Sequence, residues 1–68
     1  MESVARVTEI SAISPVGFED AIKVGIERAS RTLRQITSAW VKEQTVEVRD
    51  GAITGYRVNL LVTFVLED

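Results

Sequence analysis

Apolar and polar residues alternate along three stretches of the chain and follow a helical repeat along a fourth, which predicts the order β-α-β-β. The first stretch, residues 3–10, mixes β-branched and polar residues and is typical of a strand. Residues 11–17 contain Pro15 and Gly17, which favour a loop. The first strand is therefore predicted to end before the loop, with a helix following it.

The helix is predicted over about residues 18–36, because apolar residues recur there every three or four positions. The stripe consists of Phe18, Ala21, Ile22, Gly25, Ile26, Ala29, Leu33 and Ile36. Gly25 is the unusual member, since a glycine inside a helix costs about 1 kcal/mol relative to alanine. A close approach of the helix to a sheet would explain it.

Two further strands are predicted over residues 39–48 and 52–66, joined by a hairpin turn at Asp50–Gly51. The last strand is the most apolar, so we expect it to be central. One of its faces should pack on the helix: Tyr56, Val58, Leu60, Val62, Phe64 and Leu66. Its second face is only half apolar, which suggests that it looks into an assembly: Arg57, Asn59, Leu61, Thr63 and Val65.

The composition predicts one α+β domain over residues 1–68 that is stabilised by association with copies of itself. A chain of 68 residues buries little of its surface, and small domains need a disulfide, a metal or oligomerisation. It has no cysteine and no histidine, yet 46% of its residues are hydrophobic. Oligomerisation is the stabilising device that remains.

Charge and hydropathy exclude several other classes of protein. The net charge of -2 does not favour nucleic-acid binding, and no apolar stretch approaches the roughly 20 residues of a membrane span. The N-terminus lacks the pattern of a signal peptide, so a cytoplasmic location is expected.

An enzymatic function is not predicted. Nucleophilic systems that depend on histidine or cysteine are impossible here. The acidic pair Glu19–Asp20 is explained by the start of the helix, where negative charge is favourable. No glycine-rich phosphate loop or calcium loop is present, and no metal ligands can be assigned.

Trp40 is the most informative single residue. Strict alternation places it on one strand face with Ser38, Lys42 and Gln44, all of them polar. An indole in such surroundings either fills a subunit interface or stacks on a planar ligand, and the spacing leaves both possibilities open.

Short motifs distributed along the chain together resemble the dodecin family. Residues 14–22, SPVGFEDAI, are similar to the family's S-P-x-S-F-E-D-A-I, and residues 28–34, RASRTLR, are similar to R-A-x-x-T-L-R. Asp50–Gly51 takes the place of N-G, and YRV at 56–58 and TFVLED at 63–68 are similar to Y-Q-V and G-F-x-L-E-D. The resemblance covers nearly the whole chain without gaps.

This resemblance implies a three-stranded antiparallel sheet wrapped on one long helix, and a non-enzymatic protein. Twelve copies would form a hollow spherical homododecamer. Dodecins bind flavins such as FMN, riboflavin and lumichrome between tryptophans of neighbouring subunits. The resemblance therefore implies a role in flavin storage.

The flavin site of the family aligns with different residues here. Ser38 stands where the stacking tryptophan is expected, Thr45 where an arginine is expected, and Arg57 where a glutamine bonds the flavin ring. Trp40 lies two residues beyond Ser38, which keeps the strand face but moves the ring by about 6–7 Å. The predicted site is therefore Ser38, Trp40, Thr45 and Arg57, with weaker flavin binding than the full pattern gives. The alternative is a dodecin relative that binds calcium or acts as a structural shell.

Overall fold

A computed structural model describes residues 3–66 of the chain, which form one helix and one three-stranded sheet. The elements are β1 (Ala5–Ser14), α1 (Phe18–Ala29), β2 (Ile36–Arg49) and β3 (Ala52–Val65). The predicted β-α-β-β order is confirmed. The terminal residues 1–2 and 67–68, which include the end of the TFVLED motif, lie outside the described residues.

The last strand is the central one, as its apolar content predicts. The strand order is β1-β3-β2, and both outer strands run antiparallel to β3. Val58, Leu60 and Val62 on β3 are fully buried and form one apolar cluster with Ala21 of α1. The helix therefore covers one face of the sheet and leaves the other without a second layer.

The helix is shorter than predicted. It ends at Ala29, and the amides of Thr32 and Leu33 both donate to the Ala29 carbonyl oxygen, at 3.1 and 2.8 Å. The apolar spacing continues beyond this point because Leu33 and Ile36 also pack against the core, but from the connection after the turn and from the start of β2. These two residues are partly buried on the same side of the sheet as the helix, although their backbone is not helical. Their spacing therefore led to a prediction of a longer helix.

The first strand is longer than predicted and takes up most of the predicted loop. Residues 11–14 continue the ladder with β3, ending with Ser14 opposite Tyr56. Ser14 is buried and its hydroxyl donates to Asp20 Oδ2 at 2.6 Å, while the Val16 amide donates to Ser14 Oγ at 2.9 Å. This contact connects the end of β1 to the first turn of α1.

The predicted core face of β3 is only partly covered, because the short helix does not reach its end. Phe64 is half-buried and Leu66 is exposed. At the other side of the core, the rings of Phe18 and Tyr56 meet edge to face with centroids 5.2 Å apart. Burial is therefore concentrated in the middle of β3.

The hairpin between β2 and β3 is confirmed. Asp50 and Gly51 form a two-residue connection with φ of 51° and 77°, the left-handed values that a type I′ turn requires. Within residues 3–66, no helix is long and apolar enough to cross a membrane.

Candidate functional site

The site predicted from the sequence lies on the sheet face that α1 does not cover, here called the outer face. Its members come from all three strands: Val7, Glu9, Ser11 and Ile13 on β1; Ser38, Trp40, Glu43, Thr45 and Glu47 on β2; Gly55, Arg57, Asn59, Leu61 and Thr63 on β3. All four predicted site residues lie on this face.

An irregularity in β2 places Thr45 there. The register shifts between Val41 and Glu43, as in a β-bulge, so that Glu43 and Thr45 share the outer face with Trp40. Gln44 lies opposite Val58 on the helix side. The prediction that Gln44 shares a face with Trp40 is therefore wrong, because strict alternation does not hold across the shift.

The four predicted residues form two pairs that are well separated. Trp40 lies opposite Leu61, close to Ser38 opposite Thr63, whereas Thr45 lies opposite Arg57. Leu61 and Arg57 are four residues apart on β3, which corresponds to about 13 Å at a strand rise of about 3.4 Å per residue. Within one chain, the pair Trp40 and Ser38 and the pair Arg57 and Thr45 therefore lie at different ends of the outer face.

The Trp40 end of the outer face is apolar and open. The Trp40 side chain is 69% exposed, although an indole normally buries most of its surface. It stands next to Leu61 of the central strand, and Val7 on β1 adds a further apolar side chain that is 59% exposed. This end can offer an aromatic face to a ring or to another subunit.

The Arg57 end is polar and its side chains are connected. Arg57 Nη1 donates to Ser11 Oγ at 3.1 Å, and Nη2 donates to Glu47 Oε2 at 3.2 Å. The guanidinium therefore spans the sheet from β1 to β2. Glu47, which lies opposite Gly55, is the residue that sequence reasoning missed, because its pairing depends on the register shifts of β2.

Two other polar pairs lie between these ends. Asn59 Nδ2 donates to Glu43 Oε1 at 3.0 Å, and Lys42 Nζ lies 3.5 Å from Glu9 Oε2. The second contact is an exposed ion pair, and such pairs contribute about 0–1 kcal/mol to stability. Among residues 3–66, no group of three or more acidic residues is close enough to hold a metal ion.

A groove of about 550 Å³ lies along the edge strand β1, between α1 and β1. Val24, Ala29 and Leu33 line it, with Arg28 at the side. None of the four predicted site residues contributes to it, so the outer face remains the candidate site.

Comparison with known proteins identifies the same family that the motifs resemble. The family model described as Dodecin matches residues 4–67. A comparison with curated protein sequences finds no match.

Several solved structures share the fold over nearly the full length of both chains. The dodecin from Streptomyces davaonensis is 37% identical with a TM-score of 0.95, and all of each chain is covered. A Thermus thermophilus dodecin variant is 33% identical with a TM-score of 0.93, covering 98% of this chain and all of the other. A calcium-chelating antigen of Mycobacterium tuberculosis, a calcium dodecin, is 35% identical with a TM-score of 0.82, covering 96% and 93%.

Proposed function

Because this chain belongs to the dodecin family, we propose that it is a non-enzymatic storage protein whose homododecamer binds a flavin, FMN or riboflavin, or a similar planar ligand. The proposed ligand site is the outer face, with Ser38 and Trp40 at one end and Thr45 and Arg57 at the other.

The exposed indole of Trp40 is the observation that carries this proposal. A tryptophan on a solvated strand face leaves a large apolar surface in water, and exposed apolar groups that cluster mark interaction sites. Trp40 is accompanied at its end of the outer face by Val7, which is 59% exposed. A ring that stacks on Trp40 would cover this surface and gain about 0.5–1.5 kcal/mol beyond area burial.

The separation of Trp40 from Arg57 supports a site shared between subunits. Within one chain their strand positions are about 13 Å apart along β3, so in the proposed site a ligand stacks on Trp40 of one copy and bonds to Arg57 of another. The site then forms only in the assembly, and the open outer face becomes an interior surface.

The size of the core also supports assembly. The fully or nearly fully buried apolar side chains of the described residues are few: Ala21, Ala29, Val58, Leu60 and Val62. Both β1 and β2 are edge strands, and β2 presents 14 residues along its free edge. Packing against other copies would bury apolar surface that one helix cannot cover.

Calcium binding is the second candidate, and the Mycobacterium tuberculosis relative is the observation that favours it. In this chain Glu9, Glu43 and Glu47 lie on the outer face, each already paired with a cation or an amide. A calcium site would need carboxylates from several copies, since the described residues of one chain supply no cluster.

Fluorescence distinguishes the two candidates because Trp40 is the only tryptophan. Riboflavin should quench Trp40 emission and lose its own fluorescence in a saturable titration of the assembled protein. Trp40→Phe should retain part of the affinity and Trp40→Leu should lose most of it, with assembly checked by native mass spectrometry. An increase in melting temperature with calcium, together with no riboflavin quenching, would instead support the second candidate.

A further inference from the structure

We propose that Arg57 and Glu47 act together as the hydrogen-bonding edge of the ligand site, with Arg57 donating to a ligand carbonyl and Glu47 accepting from the adjacent ligand N–H. The inference rests on the proposed function of the same site. It names the ligand class more closely: a planar ring with an amide or imide edge, such as the pyrimidine ring of a flavin.

The pair combines hydrogen-bond donors with an acceptor, which an arginine alone does not have. A guanidinium has five N–H donors and no acceptor, so Arg57 alone cannot satisfy a ligand N–H. The Glu47 carboxylate lies 3.2 Å from Arg57 Nη2 and accepts through Oε2. The hydrogen bonds among the described residues occupy two of the five Arg57 donors and leave Glu47 Oε1 available. A donor and an acceptor therefore lie side by side.

The pair is held in one orientation from both sides of the sheet. Ser11 Oγ on β1 accepts from Arg57 Nη1 at 3.1 Å, opposite to the contact with Glu47 on β2. The Arg57 and Glu47 side chains are 40% and 48% exposed, so both can be reached from the open side. A planar guanidinium held by two hydrogen bonds matches a planar ligand edge better than a mobile side chain would.

The backbone at Gly55 shapes the surface beside the pair. Gly55 lies opposite Glu47, and a Cβ at Gly55 would come within 3.0 Å of Ile13 Cδ1 and 3.6 Å of Glu47 Cγ. Ile13 and Glu47 can therefore lie over the central strand only because position 55 has no side chain. The half-exposed Ile13 adds an apolar surface next to the polar edge, the combination found in small-molecule sites.

A pair of ligands that differ only in the imide N–H tests the assignment. Riboflavin and N3-methylriboflavin offer the same rings for stacking, but the methyl group replaces the proton that Glu47 would accept. The assembled wild-type protein should bind riboflavin at least about tenfold more tightly, since a site built to bond an N–H rejects the analogue that lacks it. Equal binding of the two would overturn the inference and leave flavin stacking intact.

The variant Glu47→Ala should lower riboflavin affinity by about tenfold and leave N3-methylriboflavin affinity within about twofold, which removes the discrimination. Glu43→Ala is the matched control, because it removes a carboxylate from the same strand and face, bonded to Asn59. It should preserve the preference for riboflavin. Discrimination that persists in Glu47→Ala, or that is lost in Glu43→Ala instead, would overturn the assignment.

A second set of variants keeps the test decisive if the alanine change prevents assembly. Glu47→Val suits a strand better and removes the acceptor as well, so it should show the same loss. Glu47→Gln keeps an acceptor oxygen and should retain a preference for riboflavin. If the assembled wild-type protein binds neither flavin, the proposed function fails, and this inference fails with it.

Discussion

Gly25→Ala should destabilise the protein, although alanine is the better helix former. Gly25 is buried in the middle of α1 where the helix meets the sheet. A Cβ at this position would lie 3.1 Å from Ala12 Cβ, 3.4 Å from Leu60 Cδ1 and 3.7 Å from Ile10 Cδ1. The close approach that the sequence suggested is therefore present, and the nearest atom is fixed directly to the backbone of β1.

Two opposing terms decide the sign of the change. Alanine gains about 1 kcal/mol over glycine in a helix interior. The new contact with Ala12 is about 0.5 Å shorter than the carbon–carbon optimum, and neither methyl group can rotate away. Relief requires that α1 and β1 move apart, and overpacking of this kind costs about 1–3 kcal/mol. The net loss of unfolding free energy should be about 0–2 kcal/mol.

A double-mutant cycle with Ala12→Gly isolates the contact from helix propensity. When Ala12 has lost its methyl group, Gly25→Ala keeps the helix gain without the shortest contact and should stabilise by up to about 1 kcal/mol. The coupling between the two positions should then be about 1–3 kcal/mol. Urea denaturation followed by circular dichroism measures each free energy, at one protein concentration because assembly also contributes to stability.

The reasoning would be refuted by a simple gain in stability. If Gly25→Ala raises the unfolding free energy by about 1 kcal/mol in the wild-type background and the coupling with Ala12→Gly is below about 0.5 kcal/mol, helix propensity alone governs the site.

Three further changes test the core, the helix start and the ligand site. Leu60→Ala should cost about 3–5 kcal/mol, since Leu60 is fully buried; a urea-derived loss under about 1 kcal/mol would contradict the core assignment. Ser14→Ala should cost about 1–3 kcal/mol, because it removes a bond to the Asp20 carboxylate and the acceptor of the Val16 amide; an unchanged melting curve would argue against that contact. Ser38→Trp should strengthen riboflavin quenching by about two- to tenfold through an added aromatic face; unchanged affinity in an assembled variant would place the ligand elsewhere.

The fold could be predicted from the sequence wherever one strong local signal decided it. Asp50–Gly51 specified the hairpin, and the apolar face of β3 identified the central strand. The helix end could not be predicted, because Leu33 and Ile36 are buried for reasons of tertiary packing and happen to continue the helical spacing. The continuation of β1 through residues 11–14 could not be predicted either, because Ser-Ala-Ile-Ser does not alternate between polar and apolar residues and Pro15 and Gly17 follow closely.

The site could be predicted only in part, because position along a strand does not determine the face once the register shifts. Alternation from Trp40 assigns Gln44 to the outer face, whereas the shift between Val41 and Glu43 assigns Thr45 to it. Glu47 could not be recognised either, since its contact with Arg57 depends on the same shift and on the pairing of two strands. The residue types were visible in the sequence, but their neighbours across the sheet were not.

The division of the outer face into an aromatic end and a polar end has a consequence for how the ligand site depends on assembly. In the proposed site, Trp40 supplies surface for stacking, Arg57 with Glu47 supplies directional bonds, and a ligand takes the two ends from different copies. A change that weakens assembly without touching the outer face should therefore weaken ligand binding as well. A change in either end should weaken binding and leave assembly intact. In the proposed homododecamer, ligand affinity thus reports on the contact between subunits as well as on the site residues.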